Sequence, residues 1–277
     1  LYFLPFVALL AAACSSQPHV IVPAYRQPLP EDVKPFFTRL RQSCPLAIDR
    51  SFAVVASNYV ERDYTYDEYL NALRSLAEGV TQRDTILDAQ PLRDSDVRVA
   101  EGAGEEPLIV YVNPTCGECS RVLGILLGAA GSSDIQFPPV VVRLLPGPDR
   151  ESMEASTRLD SIRVSDPSEY ATALLEVLNS VPEGNADIDV VLRPYSSLIA
   201  VPDSDAWHAA QQRLEADRAA LAGVDIPAPF GVFRGRRVAR YRGAKVPFDT
   251  FRNTDTLSLA IAAIAAADGS PVECRAQ

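Results

Sequence analysis

Apolar and polar positions follow two rhythms along this chain. From Leu108 to Val112 the sequence runs Leu-Ile-Val-Tyr-Val, and Val140 to Leu145 is again almost continuously apolar. Runs this short and this apolar fit strands buried on both faces, as in a parallel sheet. Phe230 to Phe233, a turn at Arg234-Gly235-Arg236 and Val238 to Tyr241 predict a hairpin. Elsewhere the apolar residues return every three or four positions and predict helices. One spans 31 to 42. A second follows the capping-box signature Thr65-x-x-Glu68, with Tyr66, Tyr69, Leu70, Leu73, Leu76 and Ala77 at helical spacing. A third runs from Arg121 to Ala129. The 80 residues after Pro146-Gly147-Pro148 read as helical. Within them Asp166-Pro167-Ser168-Glu169 opens a helix carrying Tyr170, Leu174, Val177, Leu178 and Val181 on one face. Trp207, Ala210, Leu214 and Leu221 mark another over 205 to 222, stopped by Gly223. A last helix covers 256 to 267. Gly102 to Pro107 reads as a linker, and no internal repeat or low-complexity tract is visible.

The first residues read as an address. Leu1 to Ala13 is apolar apart from Pro5, and Cys14 follows. Thirteen residues are too few for a helix spanning a bilayer, which takes about 20, but they fit the apolar core of a secretory signal. With neither Met nor a basic segment ahead of it, the run is expected to lack its first residues or to use a non-standard start. Leu9-Leu10-Ala11-Ala12-Ala13-Cys14-Ser15-Ser16 resembles the lipobox of bacterial lipoproteins, with Ala11 where Leu is commoner. That resemblance implies cleavage before Cys14 and lipidation of its sulfur. The alternative is an ordinary signal cut after Ala13, which leaves Cys14 as a spare thiol. Either way the mature chain is expected outside the cytoplasm. The expected division is a signal over 1–13, a Pro-rich tether over 14–30, a helical N-terminal region over 31–100 and the main domain over 101–277.

Composition narrows the chemistry. The 277 residues carry a formal charge of −10, so the basic footprint of a nucleic-acid binder is missing and no nucleic-acid partner is expected. Two histidines, His19 and His208, leave little for a metal site or a His-dependent triad, and neither a cofactor nor a metal is expected. His208 reads as a helix-face residue. Arg234-Gly235-Arg236-Arg237 reads as a solvated turn and Glu105-Glu106 as linker charge.

Five cysteines remain to be placed. In an oxidising compartment thiols pair unless otherwise used. Setting Cys14 aside, Cys116-Gly117-Glu118-Cys119 forms a CxxC motif. Cys44 and Cys274 are left as a candidate structural clasp, provided their α-carbons come within bridging range. A CxxC at a helix start can act as a redox pair. The first sulfur meets the unpaired N–H groups and the positive end of the helix dipole, which favour its thiolate. Cys116 would attack a substrate disulfide and Cys119, one turn further in, would resolve the mixed disulfide. The alternatives are an inert disulfide or half of a zinc site, the latter wanting a second Cys/His pair.

The order strand, CxxC, helix, strand, helical block, proline loop, hairpin, helix over about 95 to 270 resembles DsbA-like disulfide oxidoreductases. The resemblance implies an α/β chain with a thioredoxin fold, a helical insertion at about 150–222, and a small helical region ahead of it. It also implies a cis-proline in Val224-Asp225-Ile226-Pro227-Ala228-Pro229. Counting back from Gly235 selects Pro229, with Pro227 in reserve, and the Ala228 backbone would pair with a substrate strand. Gly117 and Glu118 depart from the His that strong oxidants of the family often carry. A carboxylate near the sulfur disfavours its thiolate, which favours a reductase or isomerase over a strong oxidase. The partners so implied are exported cysteine-containing proteins, a membrane redox partner, and the lipid membrane through Cys14. A rival reading makes the fold a non-catalytic envelope scaffold in a secretion or conjugation assembly, since fold does not dictate function.

Overall fold

The computed structural model describes residues 30–44, 66–132, 135–180, 187–224, 228–238, 251, 253–269 and 274. The signal-like run, Cys14, the tether up to residue 29, His19, Thr65, Val181, residues 225–227 and the 239–241 end of the expected hairpin lie outside the described residues.

The two apolar runs form β2 (Leu108–Val112) and β3 (Val140–Leu144), paired in parallel from Leu108↔Val140 to Val112↔Leu144. Side chains alternate across a strand, so each run serves two cores. Leu108, Val110, Val112, Val140, Val142 and Leu144 face one side, and Ile109, Tyr111 and Val141 face the other. The connection between them contains the helix Gly117–Ser132. On the far side of β2 runs β4 (Phe230–Phe233), antiparallel through Ile109↔Val232, Val110↔Gly231 and Tyr111↔Phe230. A hairpin leads on to β5 (Arg236–Val238). The short β1 (Arg98–Ala100) adds an antiparallel edge on β3, giving the order β1-β3-β2-β4-β5. This is a thioredoxin fold. The sequence pattern does not predict β1, because three residues with a register shift carry no readable alternation.

The helices are α1 (Lys34–Ser43), α2 (Tyr66–Thr81), α3 (Thr85–Asp88), α4 (Gly117–Ser132), α5 (Arg150–Ser165), α6 (Pro167–Ser180), α7 (Ile188–Val191), α8 (Asp205–Ala220) and α9 (Thr254–Ala267). Helices α5 to α8 form the insertion between β3 and β4. Both α6 and α8 pack on α5, whose buried face is unusually polar: Ser152, Ser156, Thr157, Asp160 and Ser161. Asp160 is matched there by Arg163 and Arg213 at 2.5 and 2.7 Å. Helix α9 is buried at every position from Thr256 to Ala265. It packs on α4, α2 and α1, and a helix covered on several sides has no polar face to keep. Phe36, Phe37, Leu40, Leu73 and Val80, from the segment expected as a separate helical region, share one core with the sheet.

Cys44, just past α1, is bonded to Cys274 with α-carbons 5.9 Å apart. The bond joins the end of α1 to the chain's last residues.

The arginine run at the hairpin is not a solvated turn. Arg234 and Gly235 are its two central residues, at φ 52° and 69°, the left-handed pair of a two-residue hairpin. A Cβ on Gly235 would fall 1.5 Å from Asp88 Oδ1, so only glycine fits. Arg236 is buried, donating to Val80 O and Asp268 Oδ1. Arg237 pairs with Asp84, and Arg234 Nε lies 2.7 Å from Glu106 Oε2. Nothing local in the sequence marks these arginines as buried, because their partners lie far away along the chain.

Arg143 interrupts the apolar β3 for a similar reason. Its guanidinium donates to Asp96 at 3.0 and 2.6 Å, to Pro91 O at 2.7 Å and to Tyr111 Oη at 3.3 Å. The Arg143 and Asp96 side chains are 3% and 7% exposed. Arg143→Met strands a buried carboxylate and should cost about 3 to 5 kcal/mol in denaturant unfolding. A loss below about 1 kcal/mol would mean that water reaches Asp96 after all.

Candidate active site

Strand β2 ends at Val112 and the chain turns through Asn113-Pro114-Thr115 into the CxxC. The turn is held by the Asn113 side chain. Its Oδ1 accepts from Thr115 N at 3.0 Å, Thr115 Oγ1 at 2.9 Å and Ser152 Oγ at 2.8 Å. Ser152 Oγ accepts in turn from Gly147 N at 2.7 Å. The reactive turn is thereby tied to the loop after β3 and to the first turn of α5. Cys116 N donates to Asn113 O at 3.0 Å, and Cys119 N to Cys116 O at 2.9 Å. Cys116 thus stands immediately ahead of α4, where backbone N–H groups lack partners of their own.

Cys116 and Cys119 stand side by side as free thiols in the structure. Cys116 is half-buried, and Cys119 is 0% exposed. The Cys116 thiol is lowered to about 6, chiefly because the Cys119 S–H donates to its sulfur. The N–H groups of Cys119 and Glu118 add to this, while burial and the Glu118 charge oppose it. Glu118 therefore acts in the direction expected from the sequence, but it is outweighed. The Cys119 thiol is pushed far up by the same hydrogen bond, by burial and by the Cys116 charge. One sulfur is a thiolate at neutral pH and the other keeps its proton. Gly117 and Glu118 are exposed, and a Cβ on Gly117 would meet nothing within 4 Å.

Ala228 and Pro229 are joined by a cis peptide bond, with Pro229 buried and Ala228 half-buried. The β2–β4 register brings this peptide to the CxxC end of the sheet. Tyr111 lies opposite Phe230, so the step after Tyr111 leads to the reactive turn while the step before Phe230 is Pro229. The two loops therefore leave neighbouring strands at one pole. Cys44 and Cys274 are elsewhere, bonded to one another. Among the described residues no three His, Cys, Asp or Glu side chains cluster as metal ligands.

Three contributors escaped sequence reasoning: Asn113, Ser152 and Arg121. Asn113 and Ser152 are 39 positions apart, so nothing local signals their bond. Arg121 donates to Glu118 Oε2 from Nε at 3.1 Å and Nη2 at 2.9 Å, and to Phe251 O from Nη1 at 2.8 Å. The i, i+3 spacing of Glu118 and Arg121 was a readable signal for their pair.

No protein-family model matches the sequence, and no curated protein does. Solved structures are similar at a distance. The catalytic domain of ScsC from Proteus mirabilis is 18% identical, covering 69% of this chain and 98% of its own, with a TM-score of 0.45. The α-DsbA1 protein of Wolbachia pipientis is 17% identical over 65% of this chain and 98% of its own, with a TM-score of 0.44. MdbA, a thiol-disulfide oxidoreductase from Corynebacterium diphtheriae, is 14% identical over 65% and 99%, with a TM-score of 0.40. All three are similar in structure, and none is close in sequence.

Proposed function

We propose that this chain is a lipid-anchored thiol–disulfide oxidoreductase working outside the cytoplasm on exported cysteine-containing proteins. The observation that carries the reading is the unequal pair of thiols. Cys116 is accessible and ionised at neutral pH, and Cys119 is sealed and protonated beside it. Cys116 attacks a substrate disulfide and Cys119 resolves the mixed disulfide, leaving the substrate reduced and the enzyme oxidised. Repeated reduction needs an electron donor, which we assign to a membrane redox partner. Where Cys116 instead releases the substrate to re-pair its own thiols, the outcome is isomerisation. The backbone at Ala228, ahead of the cis-proline, receives an extended substrate segment by edge pairing.

The bond between Cys44 and Cys274 fits an oxidising compartment, and the lipobox-like run ending at Cys14 supplies the anchor. No helix among the described residues is long and apolar enough to cross a membrane.

A lowered Cys116 thiol stabilises the reduced form at every pH above about 6 and so raises the potential. A thiol near 7 accompanies about −270 mV in thioredoxin, and one further unit is worth about 30 mV in a two-electron couple. The expected value lies nearer the thioredoxin end, about −270 mV, than the strongly oxidising end, about −120 mV, and suits reduction or isomerisation. Equilibration with glutathione tests it, and a value above about −150 mV would mark a strong oxidase instead.

A further inference from the structure

Arg121 opens the second turn of α4, one turn on from Glu118, and at 42% side-chain exposure it resembles an ordinary surface residue paired with a 46% exposed Glu118. Such pairs usually contribute little. Two features set this one apart. The carboxylate it holds belongs to the CxxC dipeptide, and the same guanidinium reaches across to Phe251 O at 2.8 Å. Phe251 is fully buried and lies against β4, where a Cβ on Gly231 would meet its ring at 3.4 Å. Gly231 is two residues past the cis-proline. One side chain therefore ties the CxxC helix, its acidic dipeptide and the neighbourhood of the proline loop.

We propose that Arg121 is a positioning residue for the dithiol: it keeps the Glu118 carboxylate in an ion pair and locks the start of α4 against Phe251, so that the reactive sulfur faces a neutralised pair. This rests on the redox reading of the CxxC but concerns a different property, how the sulfur is set. Among the described residues, the helices packed on α4 carry the following acidic groups. Helix α6 carries Glu169 and Glu176, the latter accepting from Tyr195 Oη at 3.0 Å. Helix α9 carries Asp255 in its first turn. The Glu118 charge opposes the Cys116 thiolate, as the smallest of several influences on that sulfur. Without Arg121, less of that charge is offset, so the carboxylate bears more strongly on the sulfur and disfavours the thiolate.

The test is the pH profile of Cys116 alkylation by iodoacetamide, read by mass spectrometry on the full chain. Arg121→Gln should slow alkylation at pH 6 about threefold at low ionic strength, the size expected of an exposed pair. The deficit should shrink in 1 M salt. It should vanish when Glu118→Gln is added, and Arg121→Lys should restore part of the rate, since Lys keeps the charge but not the fork. Glu118→Gln alone should speed alkylation at pH 6, which keeps the idea testable if Arg121→Gln folds poorly. An unchanged profile in Arg121→Gln, or an equal slowing with and without Glu118, overturns the proposal. So does a lowered melting temperature with no change in profile, which would mark a merely structural contact. Alkylation needs no turnover, so an inactive wild type would sink the redox reading while leaving this result to stand or fall alone.

Discussion

Cys116→Ser should reduce insulin-disulfide reduction to the uncatalysed background, whereas Cys119→Ala should accumulate a covalent complex with its substrate. The asymmetry follows from how the sulfurs share one proton. While Cys116 is free, Cys119 is kept protonated by donating to it, by the Cys116 charge and by burial. When Cys116 enters a mixed disulfide, the first two influences disappear together. Cys119 then becomes easier to ionise at the moment it is needed, beside the bond it must attack. Removing it leaves the mixed disulfide with no resolving thiol, and the trapped proteins, identified after non-reducing electrophoresis, name the substrates.

The same pair sets a pH dependence. Attack by Cys116 should rise through pH 6 and level off above about 7, where about nine-tenths of the thiol is ionised. An unperturbed thiol, near 8.5, would still be climbing at pH 8. Insulin reduction surviving in Cys116→Ser would place the chemistry elsewhere. A wild type inactive in both reduction and isomerisation would leave the scaffold reading in possession.

The second large effect is on stability. Cys274→Ser should cost about 2 to 5 kcal/mol in urea unfolding, because the lost bond closes a loop of 230 residues and the chain-entropy cost of an open loop grows with its length. Cys274 is the better site for the experiment. It is exposed, whereas Cys44 is 2% exposed and a serine there would add a buried hydroxyl to the loss. The Cys116 alkylation profile should not move, since the bond joins α1 to the chain end and not to the reactive turn. An unchanged urea midpoint would show that packing of α1 on α9 holds α1 in place without the bond.

What could be read from residues alone follows the range over which each signal acts. The strands β2 and β3 are legible because a continuous apolar run has few other uses. Helix α6 is legible because Asp166, Pro167 and Glu169 mark its start within four positions. The CxxC carries its own chemistry in its spacing. Strand β1 was missed because three residues give no period. The hairpin arginines are not legible as buried because their partners, Val80 and Asp84, Glu106, and Asp268, come from three separate places in the chain. Glu118 was weighed alone because its opposition to the thiolate is local, while the bond from Cys119 that outweighs it depends on the turn that aims the two sulfurs.

The sequence by itself determined most of the longer elements and the pair of sulfurs at a helix start, since capping, periodicity and motif spacing act over a few residues, while the proline loop followed from the family resemblance. Only the tertiary structure decided that Pro229 is the proline in cis, that it leaves the sheet beside the reactive turn, and that Arg121 and Ser152 belong to that neighbourhood. It decided, too, that Cys44 meets Cys274. Each of these is a meeting of residues distant along the chain, and the register of packed strands and helices, which no local pattern encodes, sets which distant residues meet.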